Sequence, residues 1–161
     1  MESIDLDATD LALLNQLQQD ASLSNQALAA LVHTSPPTCL RRVKRLEEAG
    51  LIERRIAVLN PERMAATLGH GLTAIVEITL DRQDAAALDA FEQRVATDAG
   101  VQQCYRVSPG PDFCLVVHAR DMPAYQALTQ RLFTSDANVR NVKAFFSIKR
   151  SKFGAALPMD G

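Results

Sequence analysis

Residues 35–50 read SPPTCLRRVKRLEEAG. A serine followed by proline is a helix start. The Ser35 hydroxyl can accept from an unpaired amide of the first turn, and Pro36 brings a fixed φ while lacking only a donor that would be orphaned there anyway. Gly50 stands where a helix C-terminus calls for a left-handed residue. Between these ends, at about 100° per residue, Cys39, Val43 and Leu46 fall on one side with Leu40 at its margin. Thr38, Arg41, Lys44 and Arg45 project from the other side, with Arg42 on a flank. The stretch therefore predicts a helix with an apolar side to bury and a cationic side wide enough to enter a DNA major groove.

Two more helices precede it. Asp7 with Asp10 three residues later signals an N-terminus, and Leu11, Leu14 and Leu17 at helical spacing carry that helix from Ala8 to about Gln19. Ser24 caps a short helix through Ala27, Leu28, Ala30 and Leu31 that ends near His33. With the tight VHTS connection between the last two helices, the pattern is that of a helix-turn-helix. Ser35, Pro37, Thr38, Arg41, Arg42, Lys44 and Arg45 are its candidate DNA contacts. Arg can pair bidentately with guanine, and either cation can bind phosphate without reading sequence.

Downstream, residues 51–59 read as a strand and Asn60-Pro61 as a turn. Segments near 71–80, 84–98, 101–107, 113–119, 121–133 and 139–150 then alternate strand, helix, strand, strand, helix, strand, the order of a ferredoxin-like plait. The expected fold class is α+β. A winged-type helix-turn-helix with its linking strand spans residues 1–60, and an α/β plait spans residues 61–161. One face of a plait sheet is left uncovered by its own two helices, which predicts a homodimer through that face.

Composition narrows the function. The net charge is −2, but residues 1–34 hold Glu2, Asp5, Asp7, Asp10 and Asp20 with no Lys or Arg, while Arg41, Arg42, Lys44, Arg45, Arg54 and Arg55 crowd the next stretch. Binding answers to such a local patch more than to the total. The aromatic residues all lie outside this region, against single-strand binding on a stacking platform. Cys39, Cys104 and Cys114 form no CxxC pair, and His33, His70 and His118 lack ligand spacing, so neither a metal nor a cofactor is expected. The acidic start MESIDLDATD and the lack of a spanning apolar run point to a cytoplasmic protein without membrane contact.

The stretches LDATDLALLNQLQQDASLSNQALAALV and SPPTCLRRVKRLEEAGLIERRIAVLNPERM resemble the Lrp/AsnC (feast/famine) transcription regulators. LTAIVEITL, DMPAYQALTQRLF and FFSIKRSKFGAALP look like that family's sensing domain. The resemblance implies a dimer, in the family often assembled further to octamers, an inexact palindromic operator on double-stranded DNA, and an amino acid or related metabolite as effector. The family usually carries a Gly-x-x-Asp loop between the second and third plait strands. Here that loop reads SPGPD, with Gly110 shifted toward Asp112, and Ser108, Gly110 and Asp112 are the candidate effector contacts. They offer N–H donors for a carboxylate and an acceptor for an ammonium.

Two other functions fit parts of the pattern. A nucleoid-type protein wrapping DNA with little sequence preference would differ in its ratio of specific to random-DNA affinity. Siroheme decarboxylases resemble the same architecture, and Arg106 and His118 would be the groups offered to such a substrate. No nucleophile-base pattern, phosphate loop or paired-carboxylate motif accompanies them, so the chain is read as no enzyme.

Overall fold

The computed structural model describes residues 4–69 and 71–159, so Glu2 and His70 lie outside the described residues. It divides into one unit of Met1–Val58 with Lys152–Gly161 and another of Leu59–Ser151. Residues 152–159, expected to belong with the plait, thus fall in the first unit.

In the first unit α1 spans Ala8–Gln19, α2 Asn25–Leu31 and α3 Pro36–Glu48. The Asp10 amide donates to Asp7 Oδ1 at 2.9 Å and the Asp7 amide donates to Asp10 Oδ2 at 3.2 Å, closing a capping box on α1. Ser24 and Ser35 accept from the amides of Ala27 and Thr38 as N-caps of α2 and α3. Between α2 and α3 the chain reverses at His33, which takes φ 55°. There the Thr34 amide reaches back to Ala29 O at 2.9 Å and the His33 amide to Ala30 O at 3.3 Å, a Schellman-type close. Gly50, at φ 73°, closes α3 in the same way, with the Leu51 amide on Leu46 O at 3.0 Å. Leu13, Leu17, Leu28, Ala29, Cys39, Val43 and Leu46 form the core between the three helices.

Residues 51–60 correct the sequence reading twice. No strand forms at 51–59. A ladder needs a partner backbone, and Ile56, Val58 and Leu59 stand exposed instead. Asn60-Pro61 is a helix start rather than a turn: Asn60 Oδ1 accepts from the Arg63 amide at 3.0 Å and caps α4, Pro61–Leu68.

The second unit continues with β1 (Leu72–Leu80), α5 (Ala85–Ala96), β2 (Val101–Arg106), β3 (Phe113–Ala119), α6 (Met122–Thr129) with a π-helical turn at Gln130–Thr134, and β4 (Val139–Phe146). The sheet order is β2-β3-β1-β4, with every neighbouring pair antiparallel. The expected plait is thereby realised, with α6 ending earlier than expected in the π turn and β4 stopping at Phe146. Alternate residues of β1 and β3 (Ala74, Val76, Ile78, Leu80; Phe113, Leu115, Val117, Ala119) are buried with Phe91, Val95, Tyr125, Leu128 and Phe133. On the opposite face Ile75 pairs with Val116 on one side and Phe145 on the other; Ile75 keeps 44% and Phe145 45% of its surface exposed. No helix of the described residues is long and apolar enough to cross a membrane.

Candidate nucleic-acid interface and effector loop

The helix α3 buries Cys39, Val43 and Leu46 and turns Leu40, Arg41, Lys44 and Arg45 outward. Its first turn is tied twice: Asn25 Nδ2 donates to Pro36 O at 2.8 Å, and the Ser35 hydroxyl donates to Thr38 Oγ1 at 2.8 Å. Ser35 and Pro37 are exposed and Thr38 half-buried, so the sequence-predicted contacts at this end sit together at the helix start.

The cations are not equivalent. Arg42 Nη1 meets Asp7 Oδ2 at 2.7 Å and Asp10 Oδ1 at 2.9 Å, and Arg45 Nη2 meets Asp10 Oδ2 at 2.6 Å. The Asp10 side chain is only 1% exposed, that of Arg42 24% and that of Arg45 44%. Lys44 makes only a loose contact of 3.7 Å with Glu48, with both groups in solvent, where such a pair is worth little. Arg55 pairs with Glu47 at 2.7 Å and Arg54 lies 3.8 Å from Glu53. Among the described residues Arg41 makes no ion pair. Asp5, Asp7, Asp10, Arg41, Arg42 and Arg45 line one open concavity of about 340 Å³.

The electrostatics follow from these contacts. The amide of Asp10, and after it the guanidinium of Arg42, holds the Asp7 carboxyl below its ordinary range. The hydrogen bonds of Arg42 to Asp7 and then to Asp10 raise the guanidinium's own value. Arg42 Nε is buried without a partner, and the guanidinium meets both carboxylates through Nη1. Sequence reasoning placed Arg42 on the flank of a cationic face and missed that Asp10 reaches it.

In the second unit, the loop 108–112 is pinned at its end. The Asp112 amide donates to Ile78 O at 2.8 Å, and Asp112 Oδ2 accepts from the Leu80 amide at 2.7 Å and from Gln83 Nε2 at 3.2 Å. Half of the carboxylate thus ties β3 to the end of β1. Ser108 and Gly110 are exposed, Gly110 takes φ 122°, and a Cβ built on it would meet nothing within 4 Å. Arg106 and His118 do not converge. Arg106 pairs with Glu92 and Asp89 on α5, whereas His118 Nδ1 lies 3.2 Å from Thr73 Oγ1 on the other face of the sheet.

A capped trihelical unit with a basic outward helix, joined to a βαββαβ unit, defines a helix-turn-helix transcription regulator with its own ligand-binding domain. Residues 6–53 match the winged helix-turn-helix DNA-binding family, and residues 73–157 match the Lrp/AsnC ligand binding domain. The chain belongs to the Lrp/AsnC family of transcriptional regulators. It is 37% identical to the leucine-responsive regulatory protein of Rhizobium meliloti over 92% of this chain and 93% of that one. Its fold matches a transcriptional regulator of Neisseria meningitidis solved in complex with L-Met (TM-score 0.83, 31% identity, covering 97% of this chain and 98% of that one). An AsnC family regulator of Agrobacterium tumefaciens is as similar in fold (TM-score 0.83, 30% identity, 96% and 97% covered). The family is regulatory rather than enzymatic.

Proposed function

We propose that the chain works in the cytoplasm as a homodimer that reads a double-stranded operator with α3 of each protomer, and that an amino acid bound by the second unit modulates this binding. The observation that carries the reading is the outward side of α3. Arg41 is free of ion pairs among the described residues, and Lys44 and Arg45 are reachable beside it, above a start formed by Ser35, Pro37 and Thr38. The uncovered sheet face around Ile75, Val116 and Phe145 supports the dimer, since a second copy of that face would remove apolar surface from water. Higher assembly to octamers would stack further on such dimers.

For the effector, the amides of Ser108 and Gly110 would take a carboxylate and Asp112 Oδ1, the oxygen not committed to Leu80, an ammonium. The complex of the Neisseria meningitidis relative with L-Met supports an amino acid as the ligand class. Two measurements test the whole. Arg41→Ala should weaken binding to a duplex selected from a random pool, by about 1–3 kcal/mol if Arg41 reads a guanine. A thermal-shift screen of the twenty amino acids should find a stabilising ligand, whose effect Asp112→Asn reduces while sparing the bond to Leu80. A selection that enriches no sequence would overturn the first half, and a screen with no shift the second.

A further inference from the structure

We propose that Asp10 is a positioning residue for operator discrimination: it holds Arg42 against α1 and one arm of Arg45, so that α3 presents few cations able to bind phosphate without reading sequence. The proposal rests on α3 being the reader.

The carboxylate is the largest commitment of a buried polar group in the first unit. At 1% exposure it accepts from the Asp7 amide, from Arg42 and from Arg45, and so faces three donors with two oxygens. Its two guanidinium partners are used differently. Arg42 gives a single nitrogen, Nη1, to both Asp7 and Asp10, while its Nε is buried without a partner, so among the described residues the two carboxylates are its polar anchors. Arg45 gives Nη2 to Asp10 and leaves the remainder of its fork in a side chain 44% exposed, a fixed arm with donors still facing out. Asp5 and Asp7 line the same concavity as the three arginines, so the positive charge of Arg42 is offset there rather than left open.

Removing the charge of Asp10 therefore does two things of opposite sign. Arg45 loses its anchor and reads less selectively. Arg42 is released beside the reader helix, where a mobile cation can bind phosphate on any sequence. A merely structural role would instead weaken all DNA binding together.

The experiment uses the full chain and a duplex that the wild-type protein selects from a random pool, with a scrambled duplex of equal length as the comparison. Affinity for both is measured across a salt series. Asp10→Asn keeps shape and one acceptor. It is expected to reduce the ratio of selected to scrambled affinity at least about fivefold, as the loss of one well-oriented base contact would. It should leave scrambled-duplex affinity equal or higher and steepen the salt slope by about 0.9 for each further phosphate that the protein neutralises. The double variant Asp10→Asn with Arg42→Met should return the slope to the wild-type value. Parallel weakening on both duplexes, or an unchanged ratio, overturns the proposal. If Asp10→Asn is unfolded by circular dichroism at the assay temperature, Arg42→Met in the wild-type background decides: with Arg42 held off DNA the slope should not change, and a slope shallower by about 0.9 overturns the proposal. Arg41→Ala separates the two levels. No effect there removes α3 as the reader, whereas weakened binding with an intact ratio in Asp10→Asn removes only the role of Asp10.

Discussion

The two units are held together by different physics. In the second, Phe91 lies 4.6 Å from Phe113 and 6.4 Å from Phe133 between centroids, and all three are buried among aliphatic side chains from both covering helices and the sheet. In the first, the buried cluster has no aromatic member, and Asp10 ranks with Leu13 and Leu46 among its fully buried side chains. A small three-helix unit buries too little apolar area to be generous with stability. It therefore draws on an ionic contact between α1 and α3, and the arginines in that contact belong to the helix proposed to read DNA. On that proposal stability and recognition share residues in the first unit, whereas the aromatic core of the second is built from side chains outside the proposed effector loop.

The largest effect should come from the apolar unit. Phe91→Ala removes a ring stacked on two others and should cost about 3–5 kcal/mol in chemical denaturation. Amide exchange in α1 and α3 should stay at wild-type rates, because that loss is confined to the plait; an equal acceleration there would break the comparison. Next, Asp10→Ala strands two guanidinium groups that are only partly exposed. It should destabilise the first unit by about 1–3 kcal/mol, read by exchange of the α3 amides, with the plait unchanged.

Acid sharpens the contrast further. Hydrogen bonding from Arg131 holds the Asp98 carboxyl below its ordinary range, against the opposing effect of burial and with help from the Gly100 amide. A carboxyl lowered in the folded state contributes stability that is present above its unfolded value near 3.8 and is lost as pH falls through the folded value. Asp7 follows the same sign through the Asp10 amide and then Arg42. Urea midpoints followed from about pH 5 to pH 2 should fall, and Asp98→Asn should flatten that fall in the plait alone. An unaltered profile in Asp98→Asn would exclude the Arg131 contact as its source.

What could be read beforehand depended on range along the chain. Capping is local, so Asp7, Ser24, Ser35 and Gly50 were legible, and the period of Cys39, Val43 and Leu46 oriented α3. Asn60-Pro61 carries the same signal as Ser35-Pro36, yet α4 buries no residue and is too short for a periodic stripe to overrule the turn reading. The alternation of Ile56 and Val58 is real, but pairing is a property of two strands. The ion pairs of Asp10 bridge 32 and 35 residues, and no spacing rule reaches that far. Asp112 was legible as a polar residue near a glycine, but its bond to the Leu80 amide crosses 32 residues, so its structural half was hidden.

Among the described hydrogen bonds, those spanning most of the chain should give the smallest effect. Gln18 Nε2 donates to Leu157 O at 2.8 Å while the Leu157 amide donates to Gln18 Oε1 at 2.8 Å, across 139 residues. The side-chain amide of α1 thus does what a neighbouring peptide would do in a ladder, and it captures the tail for the first unit. Leu157 is 70% exposed, so apolar burial adds little and the two bonds must carry the contact. Each exchanges with water, so their net worth is at the low end of about 0.5–1.5 kcal/mol. Leu157→Pro removes one donor and should lower the stability of the first unit by less than about 1 kcal/mol. Gln18→Ala removes both bonds, together with a contact to Asn15, and should cost slightly more. Because the two changes break one contact, the double variant should fall short of their sum, a non-additivity that denaturation of the four proteins can resolve. Strict additivity would mean that the tail contributes nothing through Gln18, and that the stability of the first unit comes from elsewhere, its apolar cluster included.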